Sequence, residues 1–300
     1  MDSISEKIRA LKERRGAVIL AHNYVSPEVQ DIADFTGDSL ELSIKARDAK
    51  AETIVFCGVS FMAETAKLLS PGSTVLHPVR EAGCAMADMA RAGDIAAWKK
   101  ANPDAVIVAY VNTTATAKAE VDICCTSANA EKVIRSIPEG KKIMFLPDRN
   151  LGQNVMNSTG RRMELWPGFC PVHNRIEKTM LEEARKAHPQ ALLMVHPECT
   201  PEVAAAADTA LSTGGMLRFV AKSEAKEFIV GTENGIIHRL KKENPGKVFY
   251  PLLPLPACAD MKKIRLEDIL DSLENGRGEV VLPQEIMERA RLPIDRMLAL

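Results

Sequence analysis

Long apolar runs are missing from this 300-residue chain. No stretch reaches the roughly 18 consecutive apolar residues that a membrane span needs. Met1–Arg15 reads as a charged helix with Ile4, Ile8 and Leu11 on one side, and it has no apolar core of signal-peptide length. The expectation is a cytoplasmic protein with no membrane partner. An excess of charge is missing too. Lys and Arg number 39 and Asp and Glu number 40, which argues against a nucleic-acid binder that works through bulk positive charge. There is no Walker phosphate loop, and no glycine-rich dinucleotide fingerprint follows the first apolar run. An even set of cysteines is also missing. The seven are Cys57, Cys84, Cys124, Cys125, Cys170, Cys199 and Cys258. An odd count in a chain of this size without a secretion signal fits reduced or metal-bound thiols better than a disulfide framework.

What is present is an internal repeat. Three apolar runs end in polar residues: Val18–Tyr24, Val106–Asn112 and Leu192–Glu198. Their markers His22, Tyr110 and His196 are spaced 88 and 86 residues apart, and Cys84, Cys170 and Cys258 are spaced 86 and 88 apart. An aspartate follows each first marker by 12 residues (Asp34, Asp122, Asp208), and a hydroxyl follows that by five (Ser39, Ser127, Thr213). Two independent sets of markers at one period imply three similar folds. Each unit reads as helix, strand, helix, strand, helix, strand. The fold class expected is therefore α/β: three pseudo-symmetric αβα sandwich domains, each with a small parallel sheet, around a central active site. The units are placed at 1–88, 89–174 and 175–262. Residues 263–300, read as a helix, a short strand near Val280–Leu282 and a final helix, are expected to return to the first unit.

Ligand sites in open parallel sheets lie beyond the carboxyl ends of the strands, where the repeated polar residues sit. A lone cysteine is usually a buried apolar residue. Cys84, Cys170 and Cys258 instead recur at the repeat period in polar loops, which points to a shared metal site. Three thiolates suit an iron–sulfur cluster with one open iron or a zinc ion with water, and Cys199 is a possible rival ligand. Ser39, Ser127 and Thr213 each open a helix. They are either simple N-caps or part of an anion site built from three helix N-termini. His22, Tyr24, Tyr110, Asn112, His196 and Glu198 end the first strands, and His173 follows Cys170 by three residues. This array suits proton transfer, with Glu198 as general base. Arg239–Lys242 reads as a solvated helix face. Pro147–Gly152 and Gly231–Gly235 read as loops that shape the cavity or join the units.

Along nearly its whole length the chain resembles the quinolinate synthase family. The matching stretches include His22-Asn23-Tyr24, Gly37-Asp38-Ser39, Phe61-Met62-Ala63-Glu64, Cys125-Thr126-Ser127, Pro147–Gly152, Cys170-Pro171-Val172-His173, His196-Pro197-Glu198-Cys199 and Ser212-Thr213-Gly214. The resemblance implies one 4Fe–4S cluster with an open iron, held by Cys84, Cys170 and Cys258. It implies condensation of iminosuccinate with dihydroxyacetone phosphate to quinolinate, phosphate and water, on the route to NAD, with iminosuccinate supplied by an aspartate oxidase or dehydrogenase. It also implies substrate contacts at His22, Ser39, Tyr110, Asn112, Ser127, His196, Glu198 and Thr213, with Tyr24 and His173 lining the same cavity. Cys124 and Thr113-Thr114 depart from the usual pattern away from any proposed ligand. Two rivals remain on the residues alone: a zinc-dependent lyase or hydrolase, and a non-catalytic iron–sulfur carrier. A carrier would not need the His, Tyr and Glu array.

Overall fold

The computed structural model describes residues 3–253 and 258–300. Met1, Asp2 and the four residues before Cys258, which the sequence assigns to the third cysteine loop, lie outside the described residues.

In the first unit α1 (Ile4–Arg14) leads into β1 (Ala17–His22), α2 (Pro27–Ile32), β2 (Phe35–Gly37), α3 (Ser39–Asp48), β3 (Thr53–Cys57), α4 (Ser60–Leu69) and β4 (Thr74–Leu76). The second unit repeats the order with α5 (Ala92–Ala101), β5 (Val106–Tyr110), α6 (Ala115–Lys118), β6 (Ile123–Cys125), α7 (Ala130–Ser136), β7 (Ile143–Leu146), α8 (Arg149–Thr159) and β8 (Glu164–Leu165). The third has α9 (Lys178–Ala187), β9 (Leu192–Val195), α10 (Pro201–Ala206), β10 (Thr209–Ala210), α11 (Thr213–Lys222), β11 (Glu227–Gly231), α12 (Ile236–Glu243) and β12 (Val248–Pro251). The chain closes with α13 (Leu266–Asn275) and α14 (Gln284–Leu298).

Each unit holds a four-stranded, all-parallel sheet, and the strand orders match: β2-β1-β3-β4, β6-β5-β7-β8 and β10-β9-β11-β12. The central strands are buried on both faces, so they read as continuous apolar runs. The sequence predicts three strands per unit. The fourth is the edge strand β2, β6 or β10, which at two or three residues is too short to show an apolar pattern. Its anchor is the repeated aspartate. Asp34, Asp122 and Asp208 each accept the N–H of Ile19, Ile107 or Leu193 through Oδ2 (2.8, 2.8 and 2.7 Å). Each aspartate also donates its own N–H to that same residue's carbonyl. A cation from the helix ahead of each first strand completes the set: Lys12 of α1, Lys99 of α5 or Arg185 of α9.

The first and third units share one continuous apolar core, in which Ile19, Val55 and Leu76 of one join Met194, Phe228 and Phe249 of the other. The second core is completed by Ala290, Ile294 and Met297 of α14. The C-terminal stretch therefore divides. α13 packs on α1 and β3 of the first unit, whereas α14 packs on α4 of the first unit and on α6 and β6 of the second, where its apolar face completes the second core. No strand forms at Val280–Leu282. Val280 N–H reaches Val75 O, and a single antiparallel bridge joins Glu279 to Leu76.

Candidate active site

The carboxyl ends of the three sheets converge on one cavity of about 290 Å³. Its wall contains Cys84, Cys170 and Cys258, the strand-end residues His22, Tyr24, Tyr110, Asn112, His196 and Glu198, the hydroxyls Ser39, Ser127 and Thr213, and His173. Positions separated by a third of the sequence thus share one space.

The strand ends are built alike in the first and third units. His22 Nδ1 accepts the N–H of Tyr24 at 3.2 Å, and His196 Nδ1 accepts that of Glu198 at 3.3 Å. Burial pushes both imidazoles down to about 3, so both rings are neutral. Because Nδ1 is the acceptor, the remaining proton sits on Nε2.

Glu198 is the hub. It accepts Tyr110 Oη–H on Oε1 at 2.5 Å and lies 2.6 Å from His173 Nδ1 through Oε2. Burial alone would raise its pKa. Attraction to the protonated forms of His196 and His173, together with the hydrogen bonds from His173 and Tyr110, outweighs burial and holds the carboxyl below its ordinary range. Burial and the Glu198 charge push Tyr24 and Tyr110 well above the ordinary phenol value. His173 Nε2 lies 2.7 Å from Thr232 Oγ1, which lies 2.5 Å from Tyr24 Oη. An unbroken hydrogen-bonded line therefore runs Tyr24–Thr232–His173–Glu198–Tyr110. Thr232 was not singled out in the sequence. It lies in the Gly231–Gly235 loop, and only that loop's position after a second strand hinted at a role.

The three cavity cysteines share a local geometry. Each precedes a short 3-10 turn (Ala87–Met89, His173–Arg175 or Asp260–Lys262). In each, the backbone amide of the residue three positions on faces the sulfur and works to lower its thiol pKa: Ala87 for Cys84, His173 for Cys170 and Met261 for Cys258. Burial raises all three thiol pKa values, Cys84 to about 12. The thiols are therefore protonated unless a nearby positive centre stabilises the thiolates, while the amides are already aimed at the sulfurs. Backbone amides on ligand sulfurs suit an iron–sulfur cluster, so the donor set fits that group. Cys57, Cys124, Cys125 and Cys199 are buried elsewhere and do not line the cavity. Cys170 Sγ, His173 and Glu198 also bring ligand atoms within 4.8 Å of one another, close enough for a single ion.

The hydroxyl trio is not a set of N-caps. Asp38 caps α3 by accepting from Leu40 and Glu41 at 3.0 and 2.9 Å, and Ser212 caps α11 by accepting from Gly215 at 3.1 Å. Asn129 holds the cap position of α7. Ser39 and Thr213 are the first residues of their helices, and Ser127 lies in the turn ahead of α7. The picture of three open helix N-termini is corrected at α3 and α11. Asp38 stands at the mouth of α3 and reaches α11, where it accepts from Ser212 Oγ at 3.4 Å and from the Gly214 amide. A Cβ at Gly214 would stand 2.6 Å from Asp38 Oδ2, so glycine allows that approach. The basic run on α12 is also more than a solvated face. Arg239 donates to Asn23 Oδ1 at 3.0 Å, and Asn23 Nδ2 donates to Thr213 Oγ1 at 3.0 Å.

Other wall residues escaped the sequence reading. Arg175 lines the cavity, as does the buried Glu233, whose Oε1 lies 3.0 Å from Lys262 Nζ. Asn112 Oδ1 is buried with no hydrogen-bond partner among the described residues, so it is an acceptor available to a ligand.

Three α/β units, with a cysteine and a polar strand end from each meeting at one cavity, define an enzyme assembled from a triplicated unit. The family description "NadA: Quinolinate synthetase A protein" matches residues 6–299, and the chain belongs to that family. It is 50% identical to the quinolinate synthase of Methanoregula boonei over 99% of this chain and 98% of that one. It is 50% identical to the quinolinate synthase of Desulforudis audaxviator over 100% and 99%. It is 47% identical to the quinolinate synthase of Thermus thermophilus over 99% and 97%. Among the described residues no helix is long and apolar enough to cross a membrane.

Proposed function

We propose that this enzyme condenses iminosuccinate with dihydroxyacetone phosphate to give quinolinate, phosphate and water in NAD biosynthesis. The proposal places it in the cytoplasm, with iminosuccinate delivered by an aspartate oxidase or dehydrogenase. The observation that carries it is the placement of Cys84, Cys170 and Cys258, each with an amide aimed at its sulfur, on the same cavity as the Tyr110–Glu198–His173 array. Cys84, Cys170 and Cys258 would hold a 4Fe–4S cluster, whose open iron supplies a Lewis acid for loss of water.

The chain's own groups divide the remaining work. Neutral His22 and His196 offer Nε2–H donors to carboxylate or carbonyl oxygens. Asn112 Oδ1 accepts from a substrate N–H or O–H. Ser39, Ser127 and Thr213 offer hydroxyls to the phosphate. Imine formation and aromatisation need protons moved, and the line from Tyr24 through Thr232 and His173 to Glu198 and Tyr110 gives them a path. Within it Glu198 acts as a fixed anion that orients Tyr110 and His173. The reaction needs no hydride acceptor, which agrees with the missing dinucleotide fingerprint.

The deciding experiment is anaerobic reconstitution with iron and sulfide, followed by an assay for quinolinate from the two substrates. A reconstituted protein that forms none would reject the reading. Ser127→Ala and Thr213→Val are expected to weaken dihydroxyacetone phosphate binding without unfolding, each by about 1.5–3 kcal/mol, the range for a hydrogen bond to a charged group. Parental KM values in both variants would remove these hydroxyls from the phosphate site. Thr232→Val cuts the line between Tyr24 and His173. It should slow turnover roughly tenfold, in keeping with one lost buried hydrogen bond, with KM little changed. Unaltered turnover would show that protons travel by another route.

A further inference from the structure

Two or three residues past the end of each first strand the chain makes a tight turn, with Tyr24, Asn112 or Glu198 at its tip. Each tip is flanked by two backbone carbonyls, one from the residue before and one from the residue after. In all three units a single side-chain nitrogen takes both. Gln30 Nε2 lies 3.2 Å from Asn23 O and 2.9 Å from Val25 O, and also 2.9 Å from Gly235 O of the third unit, so its two hydrogens are shared among three carbonyls. Lys118 Nζ donates to Val111 O at 2.7 Å and to Thr113 O. Asn154 Nδ2 lies 2.9 Å from Pro197 O and 3.0 Å from Cys199 O.

The three donors differ in chemistry and in origin. Gln30 and Lys118 are 88 residues apart, the spacing of His22 and Tyr110, so they are repeat equivalents. The third counterpart, Ala204, has no polar group. Its place is taken by Asn154, which comes from α8 of the second unit. An amide, an ammonium and an amide from a different element thus make one contact. Turn formation alone does not require this. In the first and third units the turn is already closed, because the tip N–H bonds the histidine ring and the next N–H bonds the histidine carbonyl. Tyr110 provides no such ring acceptor, and there the Thr113 N–H closes a tighter turn on Val111 O at 2.8 Å. That same carbonyl accepts from Lys118.

We infer that Gln30, Lys118 and Asn154 are positioning residues that fix the tips Tyr24, Asn112 and Glu198 in the cavity by clamping the carbonyls on either side. Lys118 shows what this takes. Its side chain is fully buried, with its ammonium 5.4 Å from the centre of the Phe61 ring. Glu64, one helical turn beyond Phe61, accepts the Ala115 N–H at 2.7 Å and so holds the start of the short helix that carries Lys118. Burying an ammonium is unfavourable, and two carbonyls and a ring face compensate here. The Phe61–Glu64 stretch of α4 is thereby the seat of the second tip, and Phe61 itself lines the cavity.

The clamp is a statement about geometry. Its effect on turnover rests on the proposed reaction, and two measurements separate them. Hydrogen exchange of the amides comes first. Lys118→Met should speed exchange of the Thr113 N–H, and Asn154→Leu that of the Cys199 N–H, each by about tenfold or more, with β7 and β11 unchanged. Kinetics come second. Each variant should lower kcat/KM by about 10- to 100-fold, as expected when a reacting group is displaced by a fraction of an ångström to an ångström. In backgrounds where the tip is already altered, Asn112→Ala for Lys118→Met and Glu198→Gln for Asn154→Leu, the further loss should shrink to about threefold or less. Unchanged tip exchange would overturn the clamp. Faster exchange with a full, additive loss in the altered backgrounds would overturn the positioning role. A parent protein that makes no quinolinate would reject the proposed reaction and leave the exchange arm to decide the clamp. Asn154 is half-buried, so its variant carries the test if Lys118→Met fails to fold.

Discussion

Glu198→Gln is expected to lower turnover by roughly 100- to 10,000-fold, the span associated with a group that controls proton transfer. The fold and iron content should be unchanged. The carboxylate receives the Tyr110 hydroxyl on one oxygen and faces His173 Nδ1 with the other. A carboxamide of the same shape has only one acceptor oxygen. Whichever way it turns, its NH2 meets Tyr110 or His173, each of which has an acceptor to offer it, so the contact survives. The negative charge that orients both partners is gone, however, and no carboxylate remains at the centre of the line to take a proton. Near-parental turnover would move proton control to His22 or Tyr24. Loss of iron together with activity would instead make Glu198 a metal ligand or its support.

Cys84→Ala, Cys170→Ala and Cys258→Ala are each expected to abolish stable cluster binding and, with it, quinolinate formation. Two thiolates do not retain a cubane that three hold, and in each case an amide aimed at sulfur is left facing a methyl group. Cys57→Ala, Cys124→Ala and Cys199→Ala should keep the cluster, because those side chains lie outside the cavity. Iron and acid-labile sulfide after anaerobic reconstitution provide the measurement. The same series addresses a mononuclear ion at Cys170, His173 and Glu198. Such an ion would survive Cys84→Ala and Cys258→Ala and be lost only in Cys170→Ala. Full cluster content in Cys170→Ala would reject the three-cysteine assignment.

The sequence carried this much because the fold is triplicated. A period of 86 to 88 residues turned isolated residues into sets, and each set reached one wall. The edge strands were illegible for a physical reason. A strand of two or three residues has no pattern of its own, and its marker, the repeated aspartate, looks like any surface carboxylate until its bond to the Ile19, Ile107 or Leu193 amide is seen. The choice between caps and an anion site for Ser39 and Thr213 was open in the sequence, and the caps of α3 and α11 proved to be the residues just before them, Asp38 and Ser212. Thr232 and Glu233 were hidden for a different reason: their partners, Tyr24 and His173 for one and Lys262 for the other, lie far along the chain. Lys118 bonds carbonyls only seven and five residues away, but no local pattern marks a lysine whose ammonium is buried. The last helix lies between α4 of the first unit and α6 and β6 of the second, a place the sequence did not reveal because an amphipathic face specifies that it must be covered but not by what.

Three equivalent tips carry a phenol, a carboxamide and a carboxylate. Had the same units assembled as three separate identical chains, every tip would be the same side chain, since a cyclic trimer repeats each residue on its axis. Such a cavity could complement only a ligand with threefold likeness. Joining the copies in one chain removes that constraint. Each position can then change alone, and a symmetric scaffold can surround reactants that have no symmetry.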